Sequence, residues 1–201
     1  MSVLVGKQAP DFTAPTVMPD NSINENFNLK NYLNGKECVF FFYPKDFTFV
    51  CPSEIIAFHN RLNEFKTRGV EVIGISTDDA KTHLKWKNTE INKGGIGNVQ
   101  YPLVADVSKQ ISKDYDVLIE EQGIAYRGTF LINKQGKVVH QVVNDLPLGR
   151  NIDEAIRLID ALHFTEEHGE VCPAGWNKGQ EGMKADAEGV ASYLSKHASN
   201  L

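Results

Sequence analysis

Phe40-Phe-Phe-Tyr-Pro-Lys-Asp-Phe-Thr-Phe-Val-Cys-Pro-Ser-Glu54 opens inside an apolar run that begins at Cys38 and ends at Tyr43. A run of that kind, without polar alternation, reads as a strand covered on both faces, as in a parallel sheet. Pro44 ends it. A short polar turn follows, and Cys51-Pro52 stand immediately before residues with helical spacing. The first N–H groups of a helix lack partners and carry positive partial charge, which favours thiolate over thiol. Pro52 suits a first helical turn, where its missing N–H costs nothing. A cysteine can also serve as a small buried hydrophobe. The position of Cys51, between Thr48 and Pro52 at a strand-to-helix handover, favours a reactive thiol.

The pattern continues outward from there. Ile55, Ile56, Phe58, Leu62 and Phe65 recur at helical spacing and predict a helix over residues 53–68, closed by Gly69. Val70-Glu-Val-Ile-Gly-Ile-Ser76 predicts a second buried strand, and residues 79–88 a second helix capped by Thr77 or Asp78. A short strand over 101–105 and a short helix over 108–115 come next. Residues 128–133 and 137–143 form an antiparallel hairpin around a Lys-Gln-Gly turn. Ile156, Leu158, Ile159 and Leu162 give residues 153–163 the apolar face of a closing helix. Ahead of the organising stretch, Pro10, Pro15, Pro19 and Asp20-Asn21 punctuate a lead-in strand or hairpin. Leu29 to Leu33 makes one helical turn ending near Asn34-Gly35.

This alternation predicts an α/β fold: a mixed central sheet, parallel at its centre and antiparallel at one edge, flanked by helices. Sites in open sheets of this class gather at the carboxyl ends of strands, where Cys51 lies. After about residue 165 the chain becomes rich in Gly, Lys and Glu around Val171-Cys-Pro-Ala-Gly-Trp176. The expected division is a core over residues 1–165 and a C-terminal arm over 166–201, packed on its own core or on another subunit.

Composition narrows the function. A chain of 201 residues, 41% hydrophobic and 23% charged, is ordinary for a soluble domain with a real core. The net charge of −5 and the lack of a basic cluster argue against nucleic acid and anionic membrane as partners. No apolar run approaches the roughly 20 residues that span a bilayer. The amino terminus lacks a charged start and a long apolar segment, so the expected location is the cytoplasm. Cys38, Cys51 and Cys172 cannot all pair within one chain, and none forms a Cys-x-x-Cys unit. Neither a structural zinc site nor a thioredoxin-type dithiol is supported. The six histidines lack metal-ligand spacing. Cys38, with no helix end or charge beside it in sequence, reads as structural. Lys93-Gly-Gly-Ile-Gly-Asn98 lacks the spacing and the Lys-Ser/Thr ending of a phosphate loop.

A thiolate at position 51 is a nucleophile that needs positive charge or donors nearby. The Thr48 hydroxyl can donate to the sulfur or to an oxygen bound beside it, and Pro44 would shield it from water. Arg127, just before the Gly128 strand, either reaches the same end of the sheet or is a solvated strand-end charge.

Pro44-x-x-x-Thr48-x-x-Cys51 resembles the active-site signature of the peroxiredoxins. Phe47-Thr-Phe-Val-Cys-Pro-Ser-Glu54 is similar to the typical two-cysteine, AhpC-like branch. Arg127-Gly-Thr-Phe, Asn144-Asp-Leu-Pro-Leu-Gly-Arg150-Asn and Gly169-Glu-Val-Cys172-Pro-Ala-Gly-Trp176 match the same branch in the expected order. The resemblance implies a thioredoxin-like fold and a peroxidase that needs no metal, haem or flavin cofactor. Cys51 would be the peroxidatic thiolate and Cys172 the resolving cysteine, joining Cys51 of a partner subunit. Thr48 and Arg127 would hold the peroxide, with Glu54 and Arg150 orienting Arg127. It further implies hydrogen peroxide or an alkyl hydroperoxide as substrate, and thioredoxin or a flavoprotein disulfide reductase as electron donor. A homodimer formed partly through residues 138–143, and a decamer of five dimers, complete the expectation. Gly94-Gly-Ile-Gly97 matches the loop of overoxidation-sensitive members, but Tyr193-Leu194 stands where those have Tyr-Phe, implying intermediate sensitivity. A holdase chaperone in a high-order oligomer and a one-cysteine peroxidase are the alternatives.

Overall fold

In the computed structural model, which describes residues 2–201, the lead-in segment is a hairpin. β1 (Thr13–Val17) and β2 (Ile23–Asn28) pair antiparallel across a turn in which Asn21 takes a left-handed φ of 68°. α1 (Leu29–Leu33) is the single helical turn expected, capped by the Asn28 side chain and ended by left-handed Asn34 and Gly35. β3 (Glu37–Phe42) is buried along its whole length. Its alternating side chains feed both faces of the sheet. Phe40 and Phe42 pack with Tyr115 and Phe130 on one side, while Phe41 stacks on Phe58 at 4.1 Å on the other.

The next helix begins at Cys51 and divides. α2 (Cys51–Asn60) and α3 (Leu62–Thr67) are separated by Arg61, whose ψ of 2° departs from the helix. Buried Ile55, Phe58, Leu62 and Phe65 keep helical spacing straight through that break, so no residue pattern announces it. β4 (Val70–Ser76) has the predicted bounds. α4 (Ala80–Lys87) is capped by Asp79, which accepts from the Thr82 N–H at 2.8 Å. Asp78, one of the expected caps, accepts instead from the Asp46 N–H and the Ser76 hydroxyl.

β5 (Leu103–Ala105) is shorter than predicted. α5 (Gln110–Asp114) starts late because Lys109 is left-handed, and the Asp106 carboxylate caps the Ile111 and Ser112 N–H groups. A two-residue ladder of β6 (Leu118–Ile119) with β7 (Ile124–Ala125) was too short to leave a sequence signal. β8 (Arg127–Ile132) and β9 (Val138–Asn144) form the predicted hairpin. The seven-stranded sheet has the order β2-β1-β5-β4-β3-β8-β9. β3, β4 and β5 are parallel to their neighbours within that group, as the alternation implies. The sheet is antiparallel at both edges rather than the one expected, because the lead-in hairpin adds β1 beside β5.

The chain divides into two compact units, Met1–Ile152 and Asp153–Leu201. Within the second, α6 (Ile152–His168) leads to a segment where Phe164 packs on Trp176 at 4.9 Å and Val171 bridges Met183. α7 (Ala187–His197), capped by Asp186, buries none of its described side chains. No helix among the described residues is long and apolar enough to cross a membrane.

Lys87, at the end of α4, is 2% exposed, and its ammonium donates to the Met18 carbonyl at 2.9 Å. Burial pulls its pKa down to about 8, with the Asp20 carboxylate pulling weakly the other way. From about pH 8 to about 10.4 the unfolded chain holds a proton here that the folded chain has released, so this residue's contribution to stability rises with pH. Lys87→Met is therefore expected to be more stable than the parent near neutral pH, with the gap narrowing towards pH ~10. The Met18 carbonyl keeps its bond from the Asn21 N–H in the variant. Urea unfolding at several pH values measures the gap, and a constant gap rejects the assignment.

Candidate active site

The site stands where β3 ends. After Phe42 the Tyr43 N–H still bonds the Ile75 carbonyl, and Pro44 then turns the chain off the sheet under full burial. The loop that follows is tied from below. The Tyr43 hydroxyl donates to one oxygen of Asp46 at 2.9 Å, His83 Nδ1 contacts the other at 2.7 Å, and Asp78 takes the Asp46 N–H. All three side chains of this Tyr43–Asp46–His83 chain are buried. Burial would lower the His83 pKa, but its hydrogen bond to Asp46 and the Asp46 charge raise it above the ordinary imidazole value. Such a satisfied polar network makes the loop specific rather than merely compact. Phe47 takes a left-handed φ of 53° at its apex, its ring 5.7 Å from Trp86.

Cys51 is the first residue of α2 and is wholly buried. Val50 supplies no side-chain cap, so the helix start stays electrically open towards the thiol. Arg127, first in β8, arrives because β3 and β8 run antiparallel, with Phe41 opposite Thr129. Its Nη1 lies 3.4 Å from Cys51 Sγ, and its Nε donates to the Leu146 carbonyl at 2.7 Å. The side chain is 4% exposed, so the solvated strand-end alternative does not hold.

Glu54 sits one helical turn beyond Cys51 and is also buried. One of its carboxylate oxygens accepts from Arg127 Nη1 at 2.6 Å and Arg150 Nη2 at 2.9 Å. The other accepts from Arg150 Nε at 2.8 Å and the Arg150 N–H at 3.0 Å. Burial alone would raise the Glu54 pKa; the hydrogen bonds and charges of Arg150, then the charge of Arg127, outweigh it and hold the carboxyl below its usual range. Arg150 in turn donates to the Phe42 and Gly128 carbonyls and lies 4.9 Å over the Phe41 ring. The same nitrogen of Arg127 therefore faces both sulfur and carboxylate, and Arg150 locks the carboxylate to the ends of β3 and β8.

Thr48 is half-buried, and its hydroxyl donates to the Lys45 carbonyl at 2.8 Å rather than to the sulfur. With its proton so used, the hydroxyl oxygen can still accept a hydrogen bond. Cys172 belongs to the second unit, half-buried, with Sγ 3.7 Å from the Ala161 carbonyl. Burial pushes its thiol pKa up, with the Arg157 charge pulling it down. Cys38 lies wholly buried, its pKa pushed well above the ordinary value by burial and then by Glu71, as befits an inert core thiol. All three cysteines are free thiols.

A family model described as the AhpC/TSA family matches residues 5–141. The chain belongs to the AhpC/TSA family. A second model, the C-terminal domain of 1-Cys peroxiredoxin, matches residues 161–196. Alkyl hydroperoxide reductase C of Helicobacter pylori is 57% identical over 99% of this chain and 100% of its own length. Peroxiredoxin-1 of Gallus gallus is 51% identical over 96% of both chains. The reduced 2-Cys peroxiredoxin of Plasmodium vivax superposes with a TM-score of 0.93 at 49% identity, covering 96% of this chain and 100% of that one. The fold is accordingly thioredoxin-like, and the protein is a thiol peroxidase of antioxidant defence, as the family is. The sequence reading did not find the Tyr43–Asp46–His83 chain. A histidine on a helix with no ligand spacing carries no local signal of a buried acidic partner from another segment.

Proposed function

We infer that this family member runs a two-cysteine cycle with Cys51 as peroxidatic thiolate and Cys172 as resolving thiol. The observation that carries it is the Arg127 nitrogen held 3.4 Å from Cys51 Sγ by a buried Glu54. The Cys51 sulfur attacks the terminal oxygen of the hydroperoxide. The S–O bond forms as the O–O bond breaks, the terminal oxygen staying on Cys51 as a sulfenic acid. The other oxygen leaves as alkoxide or hydroxide and takes a proton from solvent to become alcohol or water. Arg127 offers its donors to the oxygen on which charge develops, and the Thr48 oxygen accepts a hydrogen bond from the peroxide O–H, whose proton stays on the peroxide. Glu54 and Arg150 position that guanidinium. Cys172 of a partner subunit then attacks the oxidised sulfur, forming the disulfide and releasing water.

Hydrogen peroxide and organic hydroperoxides are the substrates, and the name of the Helicobacter relative supports the organic class. A thioredoxin or a flavoprotein disulfide reductase returns the disulfide to thiols. The working unit is a homodimer, gathered five-fold into a decamer, and the location is cytoplasmic. None of the relatives above is named for a holdase, and that reading is set aside.

One equivalent of peroxide followed by non-reducing electrophoresis tests the cycle. Wild type is expected to run as a covalent dimer and Cys172→Ser as a monomer. Oxidised wild type that stays monomeric with a free Cys172 thiol would reject it in favour of a one-cysteine peroxidase. Reduction by candidate donors, followed as NAD(P)H loss, identifies the reductant, and sedimentation distinguishes dimer from decamer.

A further inference from the structure

Where Cys51 stands, it cannot meet a second sulfur. Its side chain is wholly buried, and a disulfide needs Cα atoms roughly 4.4–6.8 Å apart with an S–S bond of about 2.05 Å. Under the two-cysteine cycle, on which this inference rests, the start of α2 has to open in every turnover. The bonds that keep it shut therefore shape the outcome of the reaction. The helix holds its own start weakly, since Val50 gives no side-chain cap and Pro52 has no N–H to offer. Restraints from outside include the Glu54 contacts, the Phe41–Phe58 stack, the Gln100 N–H on His59 and the Tyr101 hydroxyl.

Tyr101 lies just before β5, and its hydroxyl donates to the main-chain carbonyl of Ile55 in the second turn of α2, at 2.7 Å. The ring is buried and set edge-on to Phe41 at 6.0 Å, and Phe41 stacks on Phe58 of α2. The phenol is thereby aimed by β3 and by the helix it restrains. Burial pushes its pKa well above the ordinary phenol value, so it stays a donor wherever the enzyme works. A carbonyl has two lone pairs. The helix ladder uses one on Ile55 and Tyr101 uses the other, so removal of the hydroxyl loosens the helix without orphaning the carbonyl.

We propose that Tyr101 is a positioning residue for Cys51: its bond to Ile55 sets how readily α2 opens, and so how the sulfenic acid divides between disulfide and sulfinic acid. The division follows from two competing steps. While α2 is closed, a second hydroperoxide can transfer one oxygen to the sulfenate sulfur and leave as alcohol or water, giving the sulfinate. Once α2 opens, the second thiol reaches the sulfur and water leaves. A tighter tether favours the first step.

The test compares Tyr101→Phe with Tyr115→Phe. Tyr115 is an equally buried tyrosine whose hydroxyl donates to the Pro10 carbonyl, also at 2.7 Å, and it packs with Phe40 and Phe42 on the face of β3 opposite Phe41. A single hydrogen bond of ordinary strength corresponds to about a five-fold change in an opening equilibrium. In the reduced protein, hydrogen exchange of the α2 amides is expected to be about five-fold faster in Tyr101→Phe, with β4 unchanged. After graded peroxide, mass spectrometry at Cys51 is expected to show the sulfinate-to-disulfide ratio reduced by a similar factor. Tyr115→Phe moves neither. Unchanged α2 exchange in Tyr101→Phe overturns the tether, whatever the cycle. Faster exchange with an unchanged ratio overturns the link to product division. A wild type that forms no disulfide at all overturns the two-cysteine cycle, and with it that link, while the exchange result still decides the tether.

Discussion

Cys51→Ser is expected to bring peroxide consumption down to the uncatalysed background, a loss on the order of 10⁶-fold in rate. The serine oxygen fits the space that the buried sulfur fills, so the fold survives. What disappears is the nucleophile: a hydroxyl beside Arg127 stays protonated at neutral pH, and it cannot accept an oxygen atom as sulfur does. The control is built into the site, because the substitution leaves untouched the Glu54 carboxylate that holds Arg127 at 2.6 Å. Ferrous-oxidation or coupled assays measure the loss, and an unfolding curve matching the parent shows that it is chemical. A Cys51→Ser protein with full turnover would sink the assignment.

Glu54→Gln carries the largest expected loss of stability. The carboxylate is 3% exposed and neutralises two guanidinium groups that are each 4% exposed. Removing one charge of a buried network leaves the others uncompensated, which destabilises by about 3–5 kcal/mol. Arg150 keeps its bonds to the Phe42 and Gly128 carbonyls, and Arg127 its bond to Leu146, so the lower end of that range applies. Activity falls as well, by about a hundred-fold, because Arg127 is no longer aimed at the sulfur. The pH dependence has a definite sign. The folded Glu54 pKa lies below its unfolded value near 4.3, so its contribution is complete above that pH and is lost as pH falls through the folded value. Denaturant unfolding of the reduced proteins between about pH 3 and 7 should show the wild type losing that advantage over the variant only at the acid end. A difference under about 1 kcal/mol at neutral pH would mean that the network is not a structural keystone.

Local pattern carried much of this protein. The apolar run from Cys38 predicted β3 to within a residue at each end, and Val70 to Ser76 became β4 as read, because strands covered on both faces have no polar positions to blur them. The start of α2 was legible to within two residues, at Cys51 against the predicted 53, since Pro52 is a local signal. Caps were less so. Asp78 and Asp79 are chemically alike, and only the presence of Asp46 and Ser76 beside Asp78 leaves Asp79 to cap α4.

By itself the sequence determined a thiol at a strand-to-helix junction, a sheet with a parallel centre, and a motif set spanning the family's branch. Each of these was read from short segments taken one at a time, within which spacing and backbone preference act directly. The tertiary structure alone decided which of two roles Arg127 has, since it stands 76 positions from Cys51 and reaches it only through the antiparallel pairing of β8 with β3. It alone joined Glu54 to Arg150 across 96 positions, built His83 into the floor of the loop, and set the Tyr101 hydroxyl on the Ile55 carbonyl. Charge and hydrogen-bond partnership depend on distances of a few ångströms between segments, and no local preference encodes them until the sheet has fixed its register.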